Sequence, residues 1–316
     1  MSLIKKPSEI QMKHTVAAMI YGQPGTGKTT LACSAPHPVL FDFDNGVSRV
    51  NGAHRVDTVP ISKWEEALEA LEEVKSLDYE TIVIDTAGKM LAFMEEYIKR
   101  VDPKKKNADG SLSLKGFGVR KQMFINFLKE VLISGKNIIF VAHEMEQKRG
   151  EETVIRPEVG GSSANDLIKE LDLVGYVEMY GKRRTISFFP CEKYYAKNSC
   201  NLPGLINIPV LINEEGKTAG INDFMTKIIG LHVSNLEASA EETRRFENLK
   251  NDILGTVAQI TNADEANSFV ESMKTIDHIY NSRAVAVDAL SKKVKELGLS
   301  YDKATKTYCD AEPSQV

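Results

Sequence analysis

The chain predicts an α/β fold: a mainly parallel sheet with antiparallel hairpins at its edge, followed by a helical C-terminal region. Three observations carry this. Short apolar runs, "VAAMIY" at 16–21, "VLFDF" at 39–43 and "TIVID" at 81–85, alternate with stretches of helical periodicity, and strands buried on both faces read as such runs. From about Asp172 the pattern changes to "LVGYVEMY", the turn "GKRR", "TISFFP" and "KYYAK", which reads as hairpins. Beyond about Asn222 strand signals stop, and Val287, Leu290, Val294 and Leu297 recur at helical spacing before Gly298.

Taken in order, the run at 16–21 ends at Gly22, and a helix from Lys28 is stopped by "APHP" at 35–38. After the strand at 39–43, Ser62 with Glu65 forms a capping box ahead of Trp64, Leu68, Leu71 and Val74 on one helical face. The strand at 81–85 leads to a helix from about Met90 to Arg100. "DPKKKNADGSLSLKGFG" then lacks periodicity and reads as a mobile loop. A helix with Val119, Met123, Phe127 and Val131 on one face follows, then the strand "IIFVAH" at 138–143. The expected domains are 1–225 and a helical region 226–316, ending in a frayed tail "DAEPSQV".

Bulk properties exclude several classes. The 316 residues are 42% hydrophobic and 27% charged, ordinary for a globular protein, and no window reaches the roughly 18 apolar residues of a membrane helix. "MSLIKKPSEIQMKH" has no apolar core behind its lysines, so no secretory signal and a cytoplasmic location are expected. Cys33, Cys191, Cys200 and Cys309 are widely spaced, which suggests reduced thiols rather than a zinc site or disulfide framework. A net charge of −4 gives no global attraction to polyanions, so any nucleic-acid contact must come from local basic patches.

The chemistry begins at "GQPGTGKT", Gly22 to Thr29, a full G-x-x-x-x-G-K-[ST] match between an expected strand and an expected helix. Glycines let successive backbone N–H groups turn toward one phosphate, the helix N-terminus adds positive potential, and the Lys28 ammonium reaches the terminal phosphates. Gly22, Gln23, Pro24, Gly25, Thr26, Gly27, Lys28 and Thr29 are therefore the candidate nucleotide-binding residues, with Thr29 a ligand to Mg²⁺. Asp85, ending a buried strand, has the position of the second Mg²⁺-linked group. Asp42 and Asp44 alternate in "LFDFDNG", which puts Asp44 at the strand tip as the candidate water activator. His143 closes "IIFVAH" at the same edge, where it could sense the terminal phosphate, with Glu144 the alternative base.

"YGQPGTGKTTLA", "VLFDFDNG", "TIVIDTAGK", "GKNIIFVAHEMEQK", "RPEVGG" and "YAKNSCNLPG", in this order, resemble the phage RecA-like P-loop ATPases of the Sak single-strand annealing group, fourth type, relatives of RecA and RadA. The resemblance spans about residues 14–212. It implies a RecA-like P-loop NTPase core, ATP and Mg²⁺ as ligands with nucleotide contacts extending from Gly22 through Thr30, DNA-dependent ATP hydrolysis, and single-stranded DNA as partner in annealing or recombination. It also implies a homo-oligomeric ring or filament, because sites of that family lie between protomers. Lys197 matches a lysine presented to the neighbouring subunit's terminal phosphate in a "KNR" motif. Two departures stand out: Asp44 is one methylene shorter than the usual glutamate, and Ser199 replaces the arginine of that motif. Slow or weakly coupled hydrolysis is the expectation.

"PKKKN" at 103–107, Lys115, Arg120, Phe117 and "EQKRG" at 146–150 supply cations and an aromatic ring of the kind that binds single strands without sequence preference. Other classes remain. A small-molecule kinase needs an arginine-rich lid and a GTPase an N-K-x-D motif, neither of which the sequence shows, and a remodelling AAA+ enzyme usually has a glutamate after its Walker B aspartate, where this chain has Thr86. A nucleotide-gated adaptor with little hydrolysis, whose helices at 226–300 dock a replication or recombination partner, stays open.

Overall fold

The computed structural model describes residues 3–10, 12–150, 152–160, 163–181, 183–213 and 215–310. The expected tail lies outside them from residue 311 onward. In chain order the elements are β1 (Ala17–Gly22), α1 (Lys28–Ala32), β2 (Pro38–Asp42), β3 (Asp57–Pro60), α2 (Trp64–Ser76), β4 (Thr81–Asp85), α3 (Ala87–Val101), α4 (Leu114–Leu132), β5 (Asn137–Arg149), β6 (Glu152–Pro157) and α5 (Ser163–Glu170). There follow β7 (Leu173–Tyr180), β8 (Arg183–Ser187), β9 (Lys197–Asn198), β10 (Leu205–Ile208), α6 (Phe224–Ala258), α7 (Ala263–Ser272), α8 (Ser282–Glu296), β11 (Ser300–Asp302) and β12 (Thr307–Cys309).

The main sheet runs β10-β8-β7-β1-β5-β4-β2-β3, with β6 beside β5 and β9 beside β7. From β7 to β3 all pairings are parallel, and β8, β9 and β10 add antiparallel edges. This is the mainly parallel sheet with antiparallel edge strands that the sequence predicts. Strand β5 lies between the strand that leads into the phosphate loop and the strand that ends in Asp85.

Side chains alternate between two apolar layers, as the two-residue period of a strand demands. Met19, Phe41, Ile84 and Phe140 face one layer with Met90 and Met94 of α3 and Phe124 and Phe127 of α4. Their neighbours Ile20, Leu40, Val83 and Ile139 face the other, with Leu31 of α1 and Met225 and Ile228 of α6. All of these except Phe127, Leu31 and Ile228 are 1% exposed or less, which explains why the strands read as unbroken apolar runs.

The structure differs from the sequence reading at several elements. Helix α2 starts one residue later than expected: Glu66, not Glu65, caps it by accepting from the Ser62 and Lys63 amides at 2.6 and 3.0 Å. Leu68 is exposed, and the buried face is Trp64, Ala67, Ala70, Leu71 and Val74. The expected loop after α3 is ordered: residues 103–105 form a 3-10 turn, Lys106 bridges Leu112, and Ser113 accepts from the Gly116 amide to start α4 inside the glycine-rich stretch. On α4 the buried face holds Arg120, Phe124, Phe127 and Val131, while Val119 is exposed. Strand β5 continues past His143 to Arg149 and returns as β6, a hairpin that the charged stretch "EMEQKR" disguises because both its faces are largely open. Strands also resume after the helices, as β11 paired with β12.

By contacts the chain divides into Lys13–Asn235 and a second unit of Met1–Met12 with Leu236–Val316. The first holds the sheet. The second has its own core, in which Ile253, Val257 and Ile260 meet Phe269 of α7 and Leu290 and Val294 of α8. Ser8 belongs with it because its hydroxyl and amide both donate to the Glu247 carboxylate. Among the described residues no helix is long and apolar enough to cross a membrane.

Candidate active site

Sheet register gathers the expected site residues. Gly22 at the end of β1 lies beside His143, and Asp42 at the end of β2 lies beside Asp85 at the end of β4. The carboxyl ends of parallel strands therefore present the glycine loop, an acidic pair and an imidazole along one edge, where α/β sheets bind ligands.

The loop's shape follows from its glycines. A side chain at Gly22 would bring its Cβ to 2.4 Å from the Val177 carbonyl oxygen of β7, a backbone atom that cannot yield. Gly25 and Gly27 sit at φ +79° and +78°, the left-handed region that glycine alone enters without cost. Thr26 donates its hydroxyl to the Gln23 carbonyl at 2.9 Å and closes the bend. The Lys28 ammonium donates to the Gly22 and Gln23 carbonyls at 2.9 and 2.7 Å and is buried. Burial pushes its pKa down, opposed by the Asp85 and Glu144 charges.

Thr29 donates its hydroxyl to Asp85 at 2.6 Å. Burial raises the Asp85 carboxyl above the usual aspartate range; the Thr29 hydrogen bond works against this, and the Asp42 and Asp44 charges reinforce it. Asp42 builds the neighbouring turn: its carboxylate accepts from the amides of Asp44, Gly46 and Val47 at 3.1, 3.0 and 2.9 Å. That turn, with Asn45 at φ +51°, carries Asp44 to the strand tip. There Arg49, from the following 3-10 turn, donates to the Asp44 carboxylate at 2.6 Å.

Pro24, Gly25, Gly27, Lys28, Thr29, Thr30, Asp44, Asp85 and His143 line one cavity of about 580 Å³. Gly22, Gln23 and Thr26 frame the loop around it. Lys197 lies elsewhere: its ammonium donates to the Ile168 and Lys169 carbonyls at 3.2 and 3.1 Å, on β9 at the sheet's antiparallel side. Arg49 also lines the cavity. Sequence reading missed it, because nothing in "DNGVSRV" marks a cation that folds back five residues. Arg184, which the sequence assigns to a hairpin turn, reaches the Thr26 carbonyl at 3.4 Å and the Pro209 carbonyl at 3.0 Å and buttresses the loop from β8.

These residues suit a nucleotide with a divalent ion. The loop is a cradle of turned backbone, Lys28 supplies a cation, and His143 Nδ1 is buried with no hydrogen-bond partner among the described residues, leaving a polar atom for a ligand to satisfy. No group of three or more His, Cys, Asp or Glu among the described residues is placed to hold a metal unaided. Magnesium needs only one or two protein oxygens beside phosphate oxygens and waters, and the Thr29–Asp85 pair supplies them.

Comparison with family models agrees in kind. A family model described as AAA domain matches residues 14–200. No curated protein matches the chain. Among solved structures, the KaiC-like protein PH0186 from the hyperthermophilic archaeon Pyrococcus horikoshii OT3 is similar at 12% identity, with 61% of this chain and 89% of that chain covered and a TM-score of 0.35. With well over half its length matched and the loop, acidic pair and imidazole on one sheet edge, the chain belongs to the AAA domain family and is a P-loop NTPase.

Proposed function

We propose that the protein binds ATP with Mg²⁺ and hydrolyses it, and that it acts on single-stranded DNA in annealing or recombination. The observation that carries the first half is the single cavity shared by Lys28, Thr29, Asp44, Asp85 and His143. Loop amides and the Lys28 ammonium hold the phosphates. Thr29 and Asp85 would hold Mg²⁺, which when bound neutralises charge developing on the phosphate oxygens. Asp44 accepts the proton of the attacking water. His143 offers its unpartnered nitrogen to the terminal phosphate and so distinguishes triphosphate from diphosphate.

Arg49 is a positioning residue in this scheme. Its ion pair fixes the carboxylate of Asp44, which is one methylene short of the usual glutamate. Arg49→Ala is expected to lower kcat about ten- to a hundredfold, the scale of a misplaced catalytic group, with KM nearly unchanged and partial recovery in Arg49→Lys. Steady-state turnover of the two variants checks this, and a raised KM at constant kcat would assign Arg49 to ground-state binding instead.

The DNA half is supported by the resemblance of residues 14–212 to single-strand annealing ATPases. In that reading Lys197 acts on the terminal phosphate of a neighbouring protomer in a ring or filament, with Ser199 leaving it without the partner arginine. The C-terminal helices dock a replication or recombination protein. ATP turnover with and without a single-stranded oligonucleotide tests the reading: stimulation several-fold above the basal rate is expected. Turnover indifferent to the oligonucleotide leaves a nucleotide-gated adaptor, in which ATP governs assembly.

A further inference from the structure

Beside the nucleotide site is a second, slightly larger cavity of about 640 Å³, formed by the start of α2, one face of α3 and the segment after it. Lys63, Lys89 and Lys106 project at its rim, and Phe93 and Tyr97 of α3 are half-buried in it. Lys89, Phe93 and Tyr97 are four residues apart, which stacks them along one side of a helix. Among the described residues one acid lines the cavity, Glu96, and it pairs with Lys99; Glu65 pairs with the lining Arg100, and the Glu66 carboxylate accepts from the Ser62 and Lys63 amides. Lys63, Lys89 and Lys106 have no carboxylate within ion-pair distance among the described residues.

We infer that this cavity is the seat of single-stranded nucleic acid, with phosphates on Lys63, Lys89 and Lys106 and a base against Phe93, the neighbouring Tyr97 ring being already covered by the Arg100 guanidinium 5.6 Å from its centroid. The inference deepens the DNA reading above by naming where the strand lies. Cations spaced along a groove with aromatic faces between them are the chemistry of sequence-tolerant single-strand binding. A duplex, whose bases are already stacked, cannot use the rings.

Of the cations expected from sequence to serve this purpose, Lys106 lines the groove, whereas Arg120 is unavailable. Arg120 is 7% exposed, paired with Glu95, and lies 4.9 Å over the Phe117 ring, so cation and aromatic satisfy each other. The groove, by contrast, is joined to the nucleotide site by two contacts. Helix α3 begins directly after Asp85, and Thr86, which lines the nucleotide cavity, caps that helix by accepting from the Lys89 amide at 3.3 Å. The Phe93 ring meets the edge of Phe43 at 5.6 Å, and Phe43 lies between Asp42 and Asp44. A strand seated on Phe93 and Lys89 therefore presses on the elements that hold both acids, which gives DNA a route to stimulate hydrolysis.

The test is fluorescence anisotropy of labelled oligothymidylate with the full chain, stepped through salt concentration, with thermal unfolding verifying the fold of each variant. Replacing Lys63, Lys89 and Lys106 together by Gln is expected to flatten the log–log salt slope by about 2, three phosphates at about 0.7 each. Phe93→Leu keeps an apolar contact to Phe43 but removes the stacking face; about tenfold weaker binding at unchanged salt slope is expected. Replacing Lys115 and Lys148 by Gln, outside the groove, should change little. Wild-type affinity and slope in the triple variant, or a loss confined to the Lys115 and Lys148 variant, overturns the groove while leaving DNA binding in place. A duplex of equal length bound as tightly overturns the stacking. If the wild type turns over ATP yet binds no oligonucleotide at low salt, the DNA reading itself fails and the groove with it.

Discussion

Lys28→Ala is expected to abolish detectable triphosphate binding and to cut ATP turnover about a thousandfold, the upper range for losing one preorganised donor to a developing charge. The reason lies in where the ammonium already is. It is buried in the loop, with the Gly22 and Gln23 carbonyls as acceptors and the Asp85 and Glu144 charges favouring its protonated form. A phosphate entering the cradle meets a cation that burial has largely stripped of water, and low local dielectric strengthens that attraction. Titration calorimetry with a non-hydrolysable analogue measures the binding arm, and phosphate release the other. Retained binding in the variant would remove both the ATPase and the adaptor reading, since each requires an occupied loop.

The second large effect joins loss of activity to gain of stability. Asp85 is held above the ordinary aspartate range chiefly by burial. For an acid whose folded pKa is raised, the unfolded chain ionises first as pH climbs past the ordinary value of 3.8. Stability is then lost as pH rises from that value toward the raised folded pKa, so the buried carboxylate costs stability at neutral pH. Asp85→Asn removes that charge, while the side-chain oxygen can still accept from Thr29. The nucleotide-free variant should melt higher than wild type at pH 7, by about 2–4 °C for each kcal/mol recovered in a domain of this size. The difference should shrink as pH is lowered toward 4. Magnesium-dependent turnover should fall at least about a hundredfold, because a neutral amide is a poor partner for a divalent cation. Melting curves across pH for the two proteins, with turnover at stepped magnesium, check the pair of expectations. An unchanged or lower melting temperature would mean that Asp85 is not strained by burial.

Both effects follow from a general feature of such sites: charged groups held where water cannot solvate them are unfavourable for the fold and favourable for the ligand. Arg49 and Asp44 are a milder instance. Their pair is open to solvent, with side chains 69% and 21% exposed, so its contribution to stability is small and its value is in aim.

Much of this was legible along the chain. "GQPGTGKT" states its own geometry because its glycines permit left-handed backbone and its lysine and threonine sit at fixed offsets within one turn of helix. "TIVID" and "IIFVAH" announce buried strands with a polar residue at the end, and parallel strands leave their carboxyl tips on one edge. Asp44, Asp85 and His143 could thus be put beside Lys28 by grammar alone, and the shared cavity follows from it. Amphipathic helices were legible as elements, and Trp64, Leu71, Val74, Phe127 and Val131 are buried as expected, yet Leu68 of α2 and Val119 of α4 proved exposed. Rotation about a helix axis is set by the partner layer: Phe127 of α4 meets Trp64 of α2 at 5.0 Å, a contact that local periodicity does not encode.

What the sequence by itself determined was therefore the class of fold, the phosphate loop and the identity of the acids and imidazole at the strand tips, all consequences of short-range backbone preference and of a two-residue or 3.6-residue period. Tertiary structure alone decided that Arg49 clamps Asp44, that Arg184 props the loop, that Arg120 is spent on Glu95 and Phe117, and that three lysines around Phe93 and Tyr97 have no ion-pair partner among the described residues. The reason is physical. A side chain's charge is available or neutralised according to which distant segment folds against it, and only the closed chain brings those segments within a few ångströms.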